Sequence, residues 1–493
     1  MSKRISPFIS LLLAVVITVC GLFLEGSSGT SAQRAAVAGG TSRSAAIVAT
    51  TQELLRETSE IRELEILRPV KSGAQSRAEI ERMLIKKLNE QTNQDEMRAT
   101  EVTLRKFGLV PEGFEYRPFI IKLLTEQVAG YYDAKAREFY LADWIELEGQ
   151  KPVMAHELTH ALQDQHFNLR RFEKWPDGDS DAELAAHALI EGDATLAMTL
   201  YMIKNPLVAL AFTRSLSGLS ATSKEFNDAP RALRETLIFP YSQGAEWATS
   251  VYKRGGWKMV SGAFTKLPQS TEQILHPEKY VSYEAPVNVA LTDITEWLNE
   301  NRKLEAYSRH HAVSRNQQTG DSKPAEKPGA TRRNVRSKKP SEAKAESPTV
   351  LDTRRSAAKW RRIDYDVNGE WSYYLLLDEF LKESITSKRA AAGWAGDRYA
   401  VYENPGLGQV LVTHVSQWDT QSDAQEFFNA YVKRTALRYP GATLIPNGSP
   451  NDSIRRWQTS EGGVVIELRG SRVVVLEGIP TGLDPVSLGK LVG

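Results

Sequence analysis

Cysteine is almost absent: Cys20 is the only one in 493 residues, and it lies inside an apolar N-terminal run. Disulfides and cysteine-ligated metals are thereby excluded for the body of the chain, leaving His, Asp and Glu as its strong metal ligands. An excess of either charge is lacking too, with 62 Lys and Arg against 61 Asp and Glu, a formal net charge of +1. That balance exerts no global pull toward nucleic acid or an anionic membrane, and no specific nucleic-acid partner is expected. The remaining composition, 41% hydrophobic and 25% charged, is that of a globular protein, and the length suggests two to four domains.

The N-terminus has the layout of a secretory signal. Lys3 and Arg4 precede an apolar run from Pro7 to Leu24, and small residues follow from Gly26 to Ala32, with cleavage expected after Thr30-Ser31-Ala32. The run is also long enough for an uncleaved membrane anchor. Either way the body is expected to be exported, whether periplasmic, secreted or anchored at its N-terminus. Val19 is too bulky for a good lipoprotein site before Cys20.

Against this plain background one stretch carries chemistry: His156-Glu157-Leu158-Thr159-His160. On a helix, positions i and i+4 lie one above the other, so both imidazoles can face one ion while Glu157 stands beside it within reach of a water. Val153, Met154, Ala155, Leu158, Ala161 and Leu162 flank the motif, and no Gly or Pro interrupts Val153 to Gln165, as a buried helix requires. Chance produces the pattern in about one or two of a hundred chains of this length.

Around that helix the chain divides as follows. Residues 33–50 read as a disordered spacer and 51–115 as a charged helical region with Ser76 as a helix cap. A zincin-like unit is expected over 116–298, mainly helical with a small sheet: a helix from Arg117 to Val128, two strands at Tyr131-Tyr132-Asp133 and Glu138 to Leu141, the histidine helix, and an Ala- and Leu-rich helix from Asp179 to Met202. The strand beside the histidine helix could offer its free edge to an extended peptide. Residues 299–362 read as a disordered basic linker, able to contact anionic polymers, and 363–493 as a small α+β domain. In that last unit helices are expected at Trp371 to Glu383 and Ala424 to Leu437, with strands at 398–402, 409–414, 463–468 and 472–476. The overall class is α+β.

Catalytic zinc normally has three protein ligands and an open position. Three residues compete for the third place. Glu191, in Ile190-Glu191-Gly192-Asp193-Ala194 on the next helix, completes a two-His, one-Glu set; His166 has the spacing of the longer metzincin motif; His187 precedes Glu191 by one turn. The metzincin arrangement breaks the helix with a glycine where this chain has Gln163, which favours Glu191. Asp193 is expected to accept from a ligand histidine or to cap nearby backbone.

The chain resembles the gluzincin zinc metallopeptidases of the thermolysin-like superfamily, and is most similar to a poorly characterised bacterial branch. The likeness rests on Gly130-Tyr131-Tyr132-Asp133, on His156 to His166 (HELTHALQDQH), on Glu191-Gly192-Asp193-Ala194, and on Ser270 to Tyr280 (STEQILHPEKY); it runs from about Arg62 to Leu298 and, less specifically, through Ala390 to Tyr399. It implies a zinc ion on His156, His160 and Glu191. Thermolysin-type enzymes place an Asp four residues after the ligand Glu, whereas here Thr195 stands there and Asp193 lies two residues after.

The expected activity is zinc-dependent hydrolysis of a peptide or protein substrate. Glu157 would take the proton of the attacking water and pass it to the departing amine. An oxyanion donor is also needed; His276 is the first candidate, with Tyr241 and Tyr280 behind it. No exopeptidase motif is recognisable. A competing expectation is a non-catalytic envelope binding or assembly protein that keeps a zinc-binding peptidase fold. The intact Glu157 separates the two, since a purely structural zinc site has no use for it.

Overall fold

In a computed structural model of the chain, residues 40–301 and 359–492 are described, apart from 92, 145, 174, 176–177, 219–223 and 447–452. The expected signal segment 1–32, the spacer up to residue 39 and linker residues 302–358 lie outside the described residues. The architecture is α+β and mostly helical.

The expected spacer gives way at residue 40 to a helix, α1 (Gly40–Arg62). Small residues alone would not hold it, but Ile47, Leu54 and Leu55 are buried against the histidine helix and the adjoining hairpin. Next comes a short strand, β1 (Lys71–Gln75), inside the region expected to be wholly helical. Its sequence, Lys-Ser-Gly-Ala-Gln, has no β-branched or aromatic residue, and what makes it a strand is parallel pairing with a later one. Helices α2 (Arg77–Gln91), α3 (Gln94–Phe107) and α4 (Tyr116–Gln127) follow. Ser76 caps α2 as expected: Glu79 N donates to Ser76 Oγ at 3.4 Å and Ser76 N to the Glu79 carboxylate at 2.7 Å.

The hairpin is β2 (Gly130–Asp133) and β3 (Glu138–Ala142), turned by Asp133, whose carboxylate accepts from Lys135 N at 2.9 Å and Ala136 N at 2.8 Å. The sheet order β1-β3-β2 leaves β2 at an edge, beside helix α5 (Leu147–Phe167). Then run α6 (Ser180–Lys204), α7 (Pro206–Gly218), α8 (Lys224–Asn227), α9 (Arg231–Ala263), α10 (Thr271–Leu275), α11 (Pro277–Ser282) and α12 (295–301). Helix α9 is two helices joined at a kink, where Gly256 takes φ 62°, a region that favours glycine. Among the described residues no single helix is long and apolar enough to cross a membrane.

The C-terminal part is built on a seven-stranded antiparallel sheet in the order β4-β5-β6-β10-β9-β8-β7: β4 (Arg361–Asp366), β5 (Trp394–Asn404), β6 (Gln409–Trp418), β7 (Thr443–Leu444), β8 (Ile454–Thr459), β9 (Gly462–Arg469) and β10 (Arg472–Ile479). It carries helices α13 (Gly369–Leu381), α14 (Ser384–Ala391), α15 (Gln421–Arg438) and α16 (Pro485–Val492).

Two expected boundaries move. Val289, Leu291, Ile294 and Leu298 pack on this sheet with Ala400, Tyr402 and Leu411, so the segment expected to end the first unit belongs to the core of the second. Residues at both margins of the expected linker are ordered and joined: Trp360 N donates to Asn299 Oδ1 at 2.9 Å and Asn299 Nδ2 to Trp360 O at 3.0 Å. The two units also share buried apolar contacts, since one hydrophobic cluster runs from Leu84 through Leu189 and Trp247 to Trp371 and Val475. Buried Asp181 on α6 accepts from Thr271 N at 3.0 Å and Thr271 Oγ1 at 2.5 Å, and Thr271 Oγ1 crosses the seam by accepting from Trp371 N of α13 at 3.2 Å.

The core of the second unit holds a charge cluster. Burial alone would push Glu477 up, but Arg434 and Arg438 outweigh it and hold the carboxyl down at about 2. Arg438 Nη1 donates to it at 2.9 Å. With the folded value below the unfolded one of about 4.3, its stabilisation is complete above that pH and is lost as pH falls toward 2. Urea midpoints of the full chain should therefore drop between pH 5 and pH 2, and Glu477→Gln should flatten that drop as well as lowering the midpoint at pH 7.

Candidate metal centre

Helix α5 is buried nearly all round, so its polar side chains must find partners inside the protein. It begins at Leu147, earlier than the apolar run around the motif suggests, and takes Pro152 in its second turn. From it His156 and His160 point at Glu191 of α6. His156 Nε2 and Glu191 Oε2 are 3.0 Å apart, His160 Nε2 and Glu191 Oε2 3.3 Å, and the two Nε2 atoms 3.0 Å. Among the described residues these three form the group of His and carboxylate side chains able to hold an ion.

The spacing fits. Ligand atoms about 2.0–2.1 Å from one tetrahedral ion stand roughly 3.3 Å from each other, close to the triangle found here. The donor set is also coherent. His160 Nδ1 lies 2.8 Å from Gln163 Oε1, so Nδ1–H donates to the amide oxygen and the Nε2 lone pair is turned to the centre. Gln163 is held in turn, donating to Ile190 O at 3.0 Å and to Asp193 Oδ2 at 2.8 Å. Arg62, the last residue of α1, closes the chain of contacts: its Nη2 donates to Asp193 Oδ2 at 3.1 Å, its Nη1 to Ser261 Oγ at 3.1 Å, and the guanidinium lies over the Trp257 ring at 4.3 Å. His156 has no such orienting partner, and its buried Nδ1 carries no hydrogen bond.

Burial opposes charge on every member. Even so, the neighbouring His160 and His156 hold Glu191 down at about 2, and Glu191 lifts His160 to about 9 against the cost of burial. Glu157, 2% exposed, is pushed up to about 8 by burial. Its Oε2 accepts from Tyr132 N at 2.6 Å, so β2 is tied to the helix at one point.

The sequence-derived candidates sort clearly. His156, Glu157, His160 and Glu191 come together, and Tyr241 joins them, its ring lying over His156 at 6.0 Å between centroids. Asp193 does not accept from a ligand histidine directly; it acts one residue out, through Gln163. His166 is engaged elsewhere, with Nε2 2.8 Å from Glu65 O. His187 is buried with neither ring nitrogen partnered, and burial lowers it to about 4, but it stands outside the ligand triangle.

His276 is also placed elsewhere: Nε2 is 2.9 Å from Glu370 of α13, and Nδ1 is 3.8 Å from Glu278. Both ring nitrogens face carboxylates, which removes it as the oxyanion donor. Tyr280 is likewise committed, its hydroxyl donating to Lys266 O at 3.0 Å.

Arg62 and Gln163 were not legible as supports. Gln163 had a signal, since it sits one turn after His160 on the same face; Arg62 had none, lying over a hundred residues away in a charged helix.

The glycine between Glu191 and Asp193 has a steric reason. A Cβ on Gly192 would lie 2.1 Å from Gly244 O, because α6 and α9 meet backbone to backbone there. Gly192→Ala should destabilise the fold by about 3 kcal/mol or more and loosen the placement of Glu191, which thermal unfolding alongside metal titration would reveal.

Comparison with known proteins leaves this site unassigned. Residues 355–486 match the model of a domain of unknown function (DUF8575), which covers the C-terminal sheet and not the metal centre. No curated protein and no solved structure matches the chain.

Proposed function

We propose that this chain is an exported zinc-dependent peptidase of gluzincin type with a zincin-like catalytic unit. The observation that carries the reading is the convergence of His156, His160 and Glu191 within 3.3 Å, with Glu157 on the same helix turn. Two imidazoles and one carboxylate suit zinc, which when bound would polarise a peptide carbonyl and acidify water. Glu157 accepts the proton of the attacking water and delivers it to the departing amine. The Tyr132 N–H fixes the Glu157 carboxylate, and the Gln163–Asp193–Arg62 chain keeps the His160 ring from turning. Tyr241, stacked on His156, replaces His276 as the candidate donor to the developing oxyanion. Edge strand β2, running beside α5, is the place for an extended peptide to pair. Export rests on the basic and apolar N-terminal residues, from Lys3 to Leu24.

One observation favours a second reading. His156, Glu157 and Glu191 are 1–2% exposed, a burial that suits a structural ion in a binding or assembly protein of the envelope. Purified full-length protein separates the two when its zinc content is measured beside cleavage of casein and a peptide library. One zinc per chain with cleavage supports the peptidase; one zinc without cleavage across the panel supports the structural role.

A further inference from the structure

Helices α6 and α7 meet at Asn205 in a bend of 111°. The corner carries the two most exposed large apolar side chains described in the helical unit, Leu207 at 81% and Ile203 at 70%, with Leu210 at 47% beside them. Leu207 and Leu210 are i, i+3 neighbours on one face of α7, and Ile203 stands on the other arm of the corner. The opposite face of α7 is spent on the core: Val208 and Phe212 join the apolar clusters around Met154 and Val153 of α5. Folding therefore uses one side of this helix and leaves a second apolar side in water.

The charges narrow what can cover it. Between Asp193 and Lys224 the only charged residues are Lys204 and Arg214, both basic and both exposed. Lys204 Nζ is shared with Glu57 at 3.5 Å. An apolar face bracketed by cations, in a stretch without a single carboxylate, is the composition of a helix lying in the headgroup layer of an anionic bilayer. With 13 residues α7 is too short to span one.

The order of the chain brings a bilayer within reach. The apolar run ends at Leu24, and residues 25–39 between it and α1 extend to at most about 50 Å. Asn205 Nδ2, at the corner, donates to Glu57 of α1 at 2.7 Å, and α1 from Gly40 to Glu57 measures roughly 25 Å. Near its start α1 also turns Ala45, Ala46, Val48 and Ala49 outward, without a charge among them.

We propose that the α6–α7 corner is a membrane-docking surface, with Ile203, Leu207 and Leu210 entering the outer layer of an anionic lipid bilayer and Lys204 and Arg214 meeting its phosphates. It rests on the export reading of the N-terminal run and is independent of the metal centre.

The single native cysteine makes the test clean. An environment-sensitive fluorophore is placed on Cys20 of the full chain or, in a Cys20→Ser background, on Leu207→Cys or on Ile385→Cys of α14, an equally exposed apolar position at 84%. Each protein is mixed with phosphatidylglycerol–phosphatidylethanolamine vesicles. The Leu207 probe should shift to the blue and be quenched several-fold less by iodide, while the Ile385 probe stays in water. Ile203→Asp with Leu210→Asp, both at exposed positions, should abolish that shift. Cys20 reports the apolar run separately: a Cys20 probe that enters the lipid while Leu207 stays in water leaves anchoring standing and overturns the docking surface. A shift at Leu207 without vesicles, an equal shift at Ile385, or a shift that survives the two aspartates also overturns it, the first by assigning the face to a second copy or another part of the chain.

Discussion

Replacing Glu157 by Gln is expected to leave zinc in place and remove about 10²–10⁴-fold of peptide hydrolysis. The two side chains have the same shape, and the amide oxygen of Gln can still accept from Tyr132 N, so the helix and the edge strand keep their tie. What disappears is the capacity to hold a proton. The variant should lose kcat with little change in KM, because in the proposed mechanism Glu157 moves protons in the chemical step and does not hold the bound peptide. Steady-state cleavage of a fluorogenic peptide, with zinc measured on the same sample, reads both quantities. Retained turnover in that variant would remove Glu157 from the mechanism.

The second large effect concerns the ligands. Glu191→Ala leaves two imidazoles and no carboxylate, and zinc affinity should fall by well over the roughly 100-fold that marks the loss of an outer support. Gln163→Ala provides the comparison. It frees the His160 ring and strands Asp193 on one side, yet keeps all three ligands, so a loss of about 10–100-fold is expected. Competition titration with a zinc chelator ranks the wild type, Gln163→Ala and Glu191→Ala in that order of tightness. An affinity for Glu191→Ala equal to that of the wild type would dismiss the carboxylate as a ligand.

The pairing of His156 and His160 was legible because a helix converts a spacing of four residues into a shared face, and the apolar neighbours show that the face is buried. Glu191 was legible for a related reason: a carboxylate in an otherwise Ala- and Leu-rich helix needs a partner. The contacts that hold these residues in place were not. Arg62 reaches Asp193 from a helix 131 positions earlier, and no local pattern marks an arginine that ends fully buried. Strand β1 depends on backbone pairing with β3, not on its side chains. His276 carried a recognisable motif around it, but its partner Glu370 comes from the other side of the linker, so nothing near it in the chain could reveal that its ring is engaged. That apolar residues of both units meet in one cluster was not legible for the same reason: alternating and helical patterns report which faces are apolar, not which of them meet.

X-ray absorption at the zinc edge on purified full-length protein tests the metal centre most directly. One zinc per chain with two imidazole nitrogens and a carboxylate oxygen at about 2.0–2.1 Å is the expected result, and the imidazole signal should fall in His160→Ala. A chain that holds no tightly bound metal, or a shell without imidazole, would contradict it.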